Sequence, residues 1–399
     1  MSACSAANMT GLTARWHRSI SEIPEQRWQE LVGEDAIPFY RWGWLDALER
    51  SGSIIPNQGW QPLHLAIWRG DSPIAVAPLY LKGHSYGEFV FDQTFARLAS
   101  DLGLRYYPKL LGMSPVSPVL GYRFHVRSGE DEATLTAEML RVIDLFCEQN
   151  SILSCNFLYV DPDWRPLAEA AGCATWLNQQ SLWRRGDDRS FNDYLQRFNA
   201  NQRRNIKRER KAVAKAGLTV TPLTGEQLDL GLFQTMHRFY QQHCSRWGPW
   251  GSKYLEEGFF EALSAVHRDQ VVLFSAHRGD PRDPVAMSMC VRDGHHLWGR
   301  YWGSEEEIDC LHFEVCYYAP IQWAIEMGLD HFDPGAGGSH KRRRGFVALP
   351  NASLHRWYHP RMSGLIRAWL PKVNELMEQE IEAINADLPF KAEQPTLAL

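Results

Sequence analysis

Residues 298–346 read WGRYWGSEEEIDCLHFEVCYYAPIQWAIEMGLDHFDPGAGGSHKRRRGF, and this stretch decides the fold. Its pattern predicts a strand, an acidic loop, a helix, a short strand, a glycine turn and a basic loop in sequence. Polar residues that gather in loops after strands are typical of a functional site carried on a rigid α/β scaffold. We therefore take this stretch as the centre of the molecule and read the other segments as its support.

The composition limits the class of protein. The chain has 399 residues, more than one hydrophobic core usually supports, so we expect two domains. A formal net charge of −5 excludes a generally basic nucleic-acid binder and leaves room for local basic patches. We see no signal peptide pattern and no membrane-spanning apolar run. Eight cysteines without CxxC pairs favour reduced thiols in a cytoplasmic protein and predict no metal site.

Periodicity predicts an α/β fold with mixed, largely antiparallel sheets flanked by helices. In the first half a helix is predicted at 131–149 and a strand at 154–160. The second half repeats this order and adds strands at 270–277, 285–292 and 296–302, joined by hairpin turns. We predict domains at 11–186 and 187–372, the second carrying the active site, and a terminal helix with a loose tail at 373–399.

Three segments carry a resemblance to a known family. They are the aromatic run from Tyr240 to Phe260, the run Leu311-His-Phe-Glu-Val-Cys-Tyr-Tyr, and the glycine-rich and basic segment from Phe332 to Phe346. Together with the antiparallel meander predicted at 270–302, they resemble the FemAB-like group of the N-acetyltransferase (GNAT) superfamily. The resemblance implies two tandem GNAT-like domains and N-acyl transfer, in a group associated with peptidoglycan biosynthesis or recognition.

Acyl transfer to an amine needs a base for the ammonium group and donors for the tetrahedral oxyanion. The resemblance favours His312 as the base and Glu314 as the carboxylate that orients it. In the alternative interpretation, Glu314 lies on the solvated face of an ordinary amphipathic helix. His340 and Lys341 are further candidates for contact with the reacting carbonyl group.

The carrier of the acyl group should bind near the loop after the fourth strand. In GNAT enzymes this loop carries an Arg/Gln-x-x-Gly-x-Gly/Ala motif, whose backbone N–H groups hold a pyrophosphate. Arg300 and Gly303 match the first half of this motif. Four acids follow: Glu305, Glu306, Glu307 and Asp309. Their negative charge would repel the pyrophosphate of coenzyme A and attract an amine. In the alternative interpretation, they only complement the dipole of the helix that follows. We assign Glu305 and Tyr301 to substrate binding.

The glycine turn and the basic loop after it suggest an anion site. Backbone N–H groups of Gly335, Gly337 and Gly338 can form a nest, and Arg342 and Arg344 add positive charge. A phosphate or carboxylate of the donor or acceptor would fit, and a plain solvated loop is the alternative.

A second basic feature lies on a predicted helix at 202–216. Arg203, Lys207, Lys211 and Lys215 recur every four residues and form a charged stripe. The stripe suits tRNA, a nucleotide-linked acceptor or an anionic membrane surface, or it is an exposed helix face without a ligand. Trp247 belongs to an aromatic loop that either lines a substrate cleft or caps the core.

These features favour an N-acyltransferase. We expect an acyl or aminoacyl group to pass from acyl-CoA, an acyl carrier protein thioester or aminoacyl-tRNA to an amine of a cell-wall precursor, peptide or small metabolite. The donor is a co-substrate, and no tightly bound cofactor is predicted. The alternative is a non-catalytic GNAT-fold module that binds an anionic ligand such as RNA or a nucleotide-linked precursor, and the oligomeric state stays open.

Overall fold

The computed structural model describes residues 8–9, 11–34, 36–246 and 253–391. The strands are β1 Asn8–Met9, β2 Leu12–His17, β3 Trp60–Pro62, β4 His64–Arg69, β5 Ser72–Ala77, β6 Tyr80–Lys82, β7 Lys109–Gly112, β8 His125–Val126, β9 Ser154–Phe157, β10 Ala174–Arg184, β11 Thr219–Thr224, β12 Val271–His277, β13 Pro284–Asp293, β14 His296–Ser304, β15 His331–Asp333 and β16 Val347–Trp357.

The helices are α1 Glu25–Val32, α2 Trp42–Arg50, α3 Gln93–Asp101, α4 Glu132–Gln149, α5 Arg165–Ala170, α6 Phe191–Arg197, α7 Ala200–Lys215, α8 Leu230–Ser245, α9 Glu257–Val266, α10 Leu311–Phe313, α11 Ala319–Glu326 and α12 Pro360–Ala386. A π-helix, Glu314–Tyr318, joins α10 to α11. Short 3-10 turns occupy Ile20–Glu22, Pro38–Tyr40, Pro56–Gln58, Gly225–Gln227 and Ser339–Arg344.

The chain divides into two compact units. Unit 1 comprises the described parts of Met1–Asn178 and Pro350–Glu378, and unit 2 comprises those of Gln179–Leu349 and Gln379–Leu399. These units differ from the predicted domain boundaries because part of the C-terminal chain returns to unit 1. The return is explained by β16, whose residues 354–357 pair antiparallel with β9.

Unit 1 contains two groups of paired strands. One is antiparallel with the order β1-β2-β4-β5-β8, and in the other β9 pairs parallel with β7, which leads through β6 to β3. Helix α4 is capped by Asp131, whose carboxylate accepts hydrogen bonds from the N–H groups of Ala133 and Thr134. Its apolar face, including Leu135, Met139 and Ile143, packs into the buried core of this unit.

Unit 2 is built around an antiparallel meander. Strands β11, β12, β13 and β14 pair in sequence order, β14 then pairs parallel with β15, and the end of β10 pairs antiparallel with β15. Helices α8 and α9 pack together, and α8 also packs on β14. The α/β fold class with mixed, largely antiparallel sheets and flanking helices is thus confirmed.

Several predicted elements needed correction. Periodicity predicts one strand at 74–81, whereas the structure has two, β5 and β6, because the chain leaves the first group of strands at Pro78 and enters the second. Periodicity also predicts a helix at 225–244, but the helix begins at Leu230, where Asp229 caps it after a 3-10 turn. Strand β16 and helix α3 were not predicted. Within the described residues, no helix combines the length and apolar character needed to cross a membrane.

Candidate functional site

The candidate site begins where two parallel strands separate. Strand β14 pairs with β15 through His296, Leu297 and Trp298. Beyond this point, residues 299–304 of β14 pair on their other side with β13, with a bulge that leaves Arg300 between paired neighbours. The two strands therefore separate toward their C-terminal ends. The acidic loop, residues 305–309, follows β14, and the glycine turn, residues 335–338, follows β15.

Arg300 and Gly303 hold this part of the sheet together. The Arg300 side chain is buried, and its Nη2 lies 3.2 Å from the carboxylate of Asp333 on β15. A Cβ atom on Gly303 would lie 2.1 Å from the backbone oxygen of Phe239, so only glycine permits the close approach of α8. Contrary to the predicted cofactor role, the Arg300 side chain is already engaged and Gly303 is buried against a helix.

Arginines from neighbouring elements pair with three acids of the acidic loop, Glu305, Glu306 and Glu307. Carboxylate oxygens of Glu305 and Glu306 lie 3.0 Å from Arg238 and 2.7 Å from Arg278, and a Glu307 oxygen lies 3.7 Å from Arg246. The expected field of unpaired negative charge is therefore weaker than the sequence suggested. Glu305, predicted to bind the substrate amine, already has a partner.

The helix after this loop is irregular at the site. It begins at Leu311, directly after Cys310, a non-glycine residue in the left-handed region with φ 64°, and it widens into the π-helix at Glu314–Tyr318. The sequence predicts a bend near this point, because Pro320 lacks the N–H that would bond to residue 316. π-helical turns are rare and are often found at functional sites.

Glu314 does not orient His312. Its carboxylate accepts hydrogen bonds from Arg210 on α7, at 3.1 and 3.0 Å from Nε and 2.8 Å from Nη2. At 6% exposure it is not on a solvated face either, so both interpretations of Glu314 are corrected. The physical reason is the ion pair with the half-buried Arg210, which lies more than a hundred residues away in sequence and which no local pattern reveals.

His312 lies in an aromatic cluster. Its ring centroid is 4.7 Å from Trp302, 5.3 Å from Tyr317 and 5.7 Å from His340. Burial, reinforced by the nearby His340, lowers the pKa of His312 to about 3. His312 is therefore neutral near pH 7 but is a weak proton acceptor, which argues against the predicted role as the main base.

A hydrogen bond joins the segments that follow the two diverging strands. The hydroxyl of Tyr317, on the π-helix after β14, lies 2.9 Å from Nε2 of His340, on the turn after β15. Burial and then Arg344 lower the pKa of His340, whereas burial raises the pKa of the Tyr317 phenol. Tyr317 was missed from the sequence, because its spacing to His312 is that of a π-helix and not an α-helix.

A cavity of about 440 Å³ adjoins this cluster. It lies between the end of β14 and the start of the helix, and its walls mix aromatic and acidic side chains: Arg246, Trp302, Glu306, Glu307, Ile308, Asp309, Cys310, Leu311, His312 and Phe313. Its volume suits a small acyl or amine-bearing group.

The basic loop, residues 340–344, is partly structural. Lys341 is buried and its Nζ donates to the carbonyl oxygens of Gly335 and Ala336 at 2.6 and 3.1 Å. Arg344 is 2% exposed and its Nη2 lies 2.7 Å from Glu209. Burial lowers the pKa of Lys341 to about 8. Two of the predicted free cations therefore close the glycine turn and anchor the loop.

The remaining residues of the predicted anion site are more open. Gly335, Gly337 and Gly338 all have positive φ, and the N–H of Gly335 already donates to Asp333 at 2.7 Å. Arg342 lies 3.1 Å from Asp387. The turn thus has a backbone that glycine adopts readily, and one of its three candidate N–H groups is occupied.

The predicted basic stripe lies on α7, which Asn199 caps. Lys207, Lys211 and Lys215 are exposed, while Arg203 is half-buried and donates to Gln196 and to the carbonyl oxygen of Phe198. The stripe is therefore mostly accessible, and Arg203 is its constrained end.

Two aromatic residues, Tyr301 and Trp247, were predicted to contact substrate. Tyr301, a predicted substrate contact, packs against Tyr240 and Phe260 at centroid distances of 5.4 and 5.9 Å. Its ring therefore lies on the side of β14 that faces α8 and α9. Trp247 lies outside the described residues.

Comparison with known proteins supplies the family. The family model described as FemAB-like, peptidoglycan biosynthesis/recognition, matches residues 19–392. This chain belongs to the FemAB-like family. No curated protein matches it in sequence.

Solved structures resemble the chain at low sequence identity. FemX has a TM-score of 0.51 and 12% identity, covering 86% of this chain and 98% of FemX. A C-terminal DUF2156 domain assigned to a lysylphosphatidylglycerol synthetase from Agrobacterium fabrum has a TM-score of 0.50 and 10% identity, covering 88% and 96%. These similarities concern the fold alone, and the family match confirms the predicted resemblance to the FemAB-like group.

Proposed function

We propose that this FemAB-like protein transfers an acyl or aminoacyl group from a thioester or charged-tRNA donor to an amine acceptor. A peptidoglycan precursor is the acceptor class that the family membership favours. The observation that carries the proposal is the Tyr317–His340 hydrogen bond, which links the segments leaving the diverging strands β14 and β15. Unit 2 holds both groups, so the proposal places the active site in that unit.

In the proposed reaction, the acceptor amine loses a proton and attacks the carbonyl carbon of the donor. The lowered pKa of His340 keeps its imidazole neutral near pH 7, so this ring can accept the proton. The raised pKa of Tyr317 keeps its phenol protonated, so the hydroxyl can donate to the oxyanion or to the leaving group. Collapse of the tetrahedral intermediate forms the amide bond and releases the thiolate or the ribose hydroxyl.

Residues around the pair have supporting roles in this proposal. Lys341 and Arg344 hold the turn that carries His340, through bonds to the glycine turn and to Glu209. The cavity beside His312 and Trp302 receives the group next to the reacting carbonyl. Donor phosphates are assigned to the N–H groups of Gly337 and Gly338 and to Arg342, whose side chain is partly exposed.

The test is a transfer assay with purified full-length protein. Acetyl-CoA, an acyl carrier protein thioester and a mixture of charged tRNAs are each incubated with a nucleotide-linked peptidoglycan precursor, and acceptor mass is followed by mass spectrometry. We expect a mass increase with one donor class, and a loss of about 10²–10⁴-fold in rate for His340→Gln and Tyr317→Phe. His295→Gln, an exposed histidine in the same unit, is the matched control.

The competing proposal is a binding module without turnover, which the exposed α7 lysines favour. It predicts salt-sensitive binding of RNA or of the precursor, no mass increase with any donor, and equal binding by the wild-type protein and His340→Gln. That combination of results would replace the transferase proposal.

A further inference from the structure

Helix α12 carries apolar side chains that the core of unit 1 does not cover. Met362, Ile366 and Leu370 are buried in this unit. Leu365, Trp369 and Leu376 are exposed, and at 100° per residue they lie within an arc of about 40°. The apolar surface of the helix is therefore wider than the part used for packing.

Basic residues lie beside this exposed stripe. Arg361 and Lys372 lie within about 40° of Leu365 around the helix axis, on the side opposite to Trp369 and Leu376. Between Arg361 and Asn374 the chain has three basic residues and no acidic one. The first acid, Glu375, lies 2.8 Å from Lys372. This half of α12 thus presents apolar and positively charged groups on one accessible face.

An aromatic side chain belongs to the same surface. The Trp369 ring is 39% exposed and lies 6.2 Å from Phe95 of helix α3. Exposed aromatic residues beside basic ones are the composition of surfaces that lie in the headgroup region of a bilayer.

We propose that α12 from Arg361 to Leu376 is a docking surface for an anionic lipid bilayer. Leu365, Trp369 and Leu376 enter the region between headgroups and acyl chains, while Arg361 and Lys372 contact anionic headgroups. A second copy of the chain fits less well, because two such faces would bring like charges together. The inference goes beyond the proposed transfer activity and does not depend on it.

Vesicle sedimentation tests the proposal with full-length protein. We expect binding to vesicles of equal parts phosphatidylcholine and phosphatidylglycerol, and little binding to phosphatidylcholine alone. The double variant Arg361→Glu/Lys372→Glu should bind at least about 30-fold more weakly, since each basic residue near an anionic surface contributes roughly fivefold in affinity. Leu365→Glu should also weaken binding, whereas Leu230→Glu, with the same 48% exposure in unit 2, should not.

Three results would overturn this inference. One is the absence of binding to anionic vesicles. Another is binding that survives the α12 variants but is lost in Lys211→Glu/Lys215→Glu, which would move the contact to α7. The third is a dimer in sedimentation velocity that Leu365→Glu dissociates, which would identify a second copy as the occupant. Far-ultraviolet circular dichroism of each variant shows whether the fold is retained.

Discussion

The acidic loop and the basic loop differ in what their charges contact. Glu305, Glu306 and Glu307 are exposed and meet arginines at the surface. In the basic loop, by contrast, Lys341 and Arg344 are buried and bind carbonyl groups and Glu209. Water screens the first set of pairs, whereas the second set loses hydration and must be satisfied by the protein. A run of charge in a sequence therefore does not tell how much charge is available to a ligand.

The two loops also differ in whether they contact the proposed catalytic pair, Tyr317 and His340. Arg344 Cζ lies 3.4 Å from the centroid of the Phe313 ring, and its Nη1 donates to the carbonyl oxygen of His340. The basic loop thus fixes the proposed proton acceptor, His340. No comparable contact ties the exposed acids to the pair formed by Tyr317 and His340 within the described residues. Mutations in the two loops should therefore have unequal effects.

Arg344→Ala should have the largest effect on stability. It leaves the carboxylate of Glu209, which is 15% exposed, without its 2.7 Å partner, and breaking a buried ion pair costs about 3–5 kcal/mol. The neighbouring exposed Arg343→Ala is the control and should change the free energy of unfolding by less than about 0.5 kcal/mol. Urea unfolding of the two variants measures the difference, and equal effects would contradict the comparison of the loops.

Lys341→Met should remove a pH dependence of stability. The pKa of Lys341 is lowered to about 8 in the folded protein, so between pH 8 and its unfolded value of about 10.4 the unfolded chain binds more protons. Wild-type stability should consequently rise with pH in this window, by about 3 kcal/mol at most. Urea unfolding at several pH values gives the free energy of unfolding of each protein. The wild-type value minus the variant value should rise with pH between about 8 and 10.4. A flat difference would mean that Lys341 is not held in a desolvated site.

Gly303→Ala tests the strand that leads into the acidic loop. The added Cβ would meet the backbone oxygen of Phe239 at 2.1 Å, and overpacking of this kind costs about 1–3 kcal/mol. Gly294→Ala is the control, because no atom lies within 4 Å of its built Cβ. Thermal unfolding compares the two. If both variants melt together, α8 does not pack on β14 as closely as described.

The sequence predicted elements better than contacts. The meander and the short strand β15 follow from periodicity, and the loss of a helical hydrogen bond at Pro320 follows from a backbone rule. The parallel pairing of β15 with β14 was not predicted. The partners of the charged residues do not follow from such rules, because Arg210 meets Glu314 and Glu209 meets Arg344 across more than a hundred residues. Tyr317 escaped notice for a local reason, since its position in a π-helix alters the spacing that identifies residues sharing a helix face.

Glu306→Gln should have the smallest effect. Its two oxygens each lie 2.7 Å from Arg278, a good geometry, yet both side chains are exposed and the pair competes with water and salt. We expect the urea midpoint to stay within experimental error of wild type in moderate salt. Glu209→Gln, which weakens the contact to Arg344, should lower the midpoint clearly under the same conditions. Similar losses in the two variants would show that the acidic loop stabilises the site as much as the basic loop does.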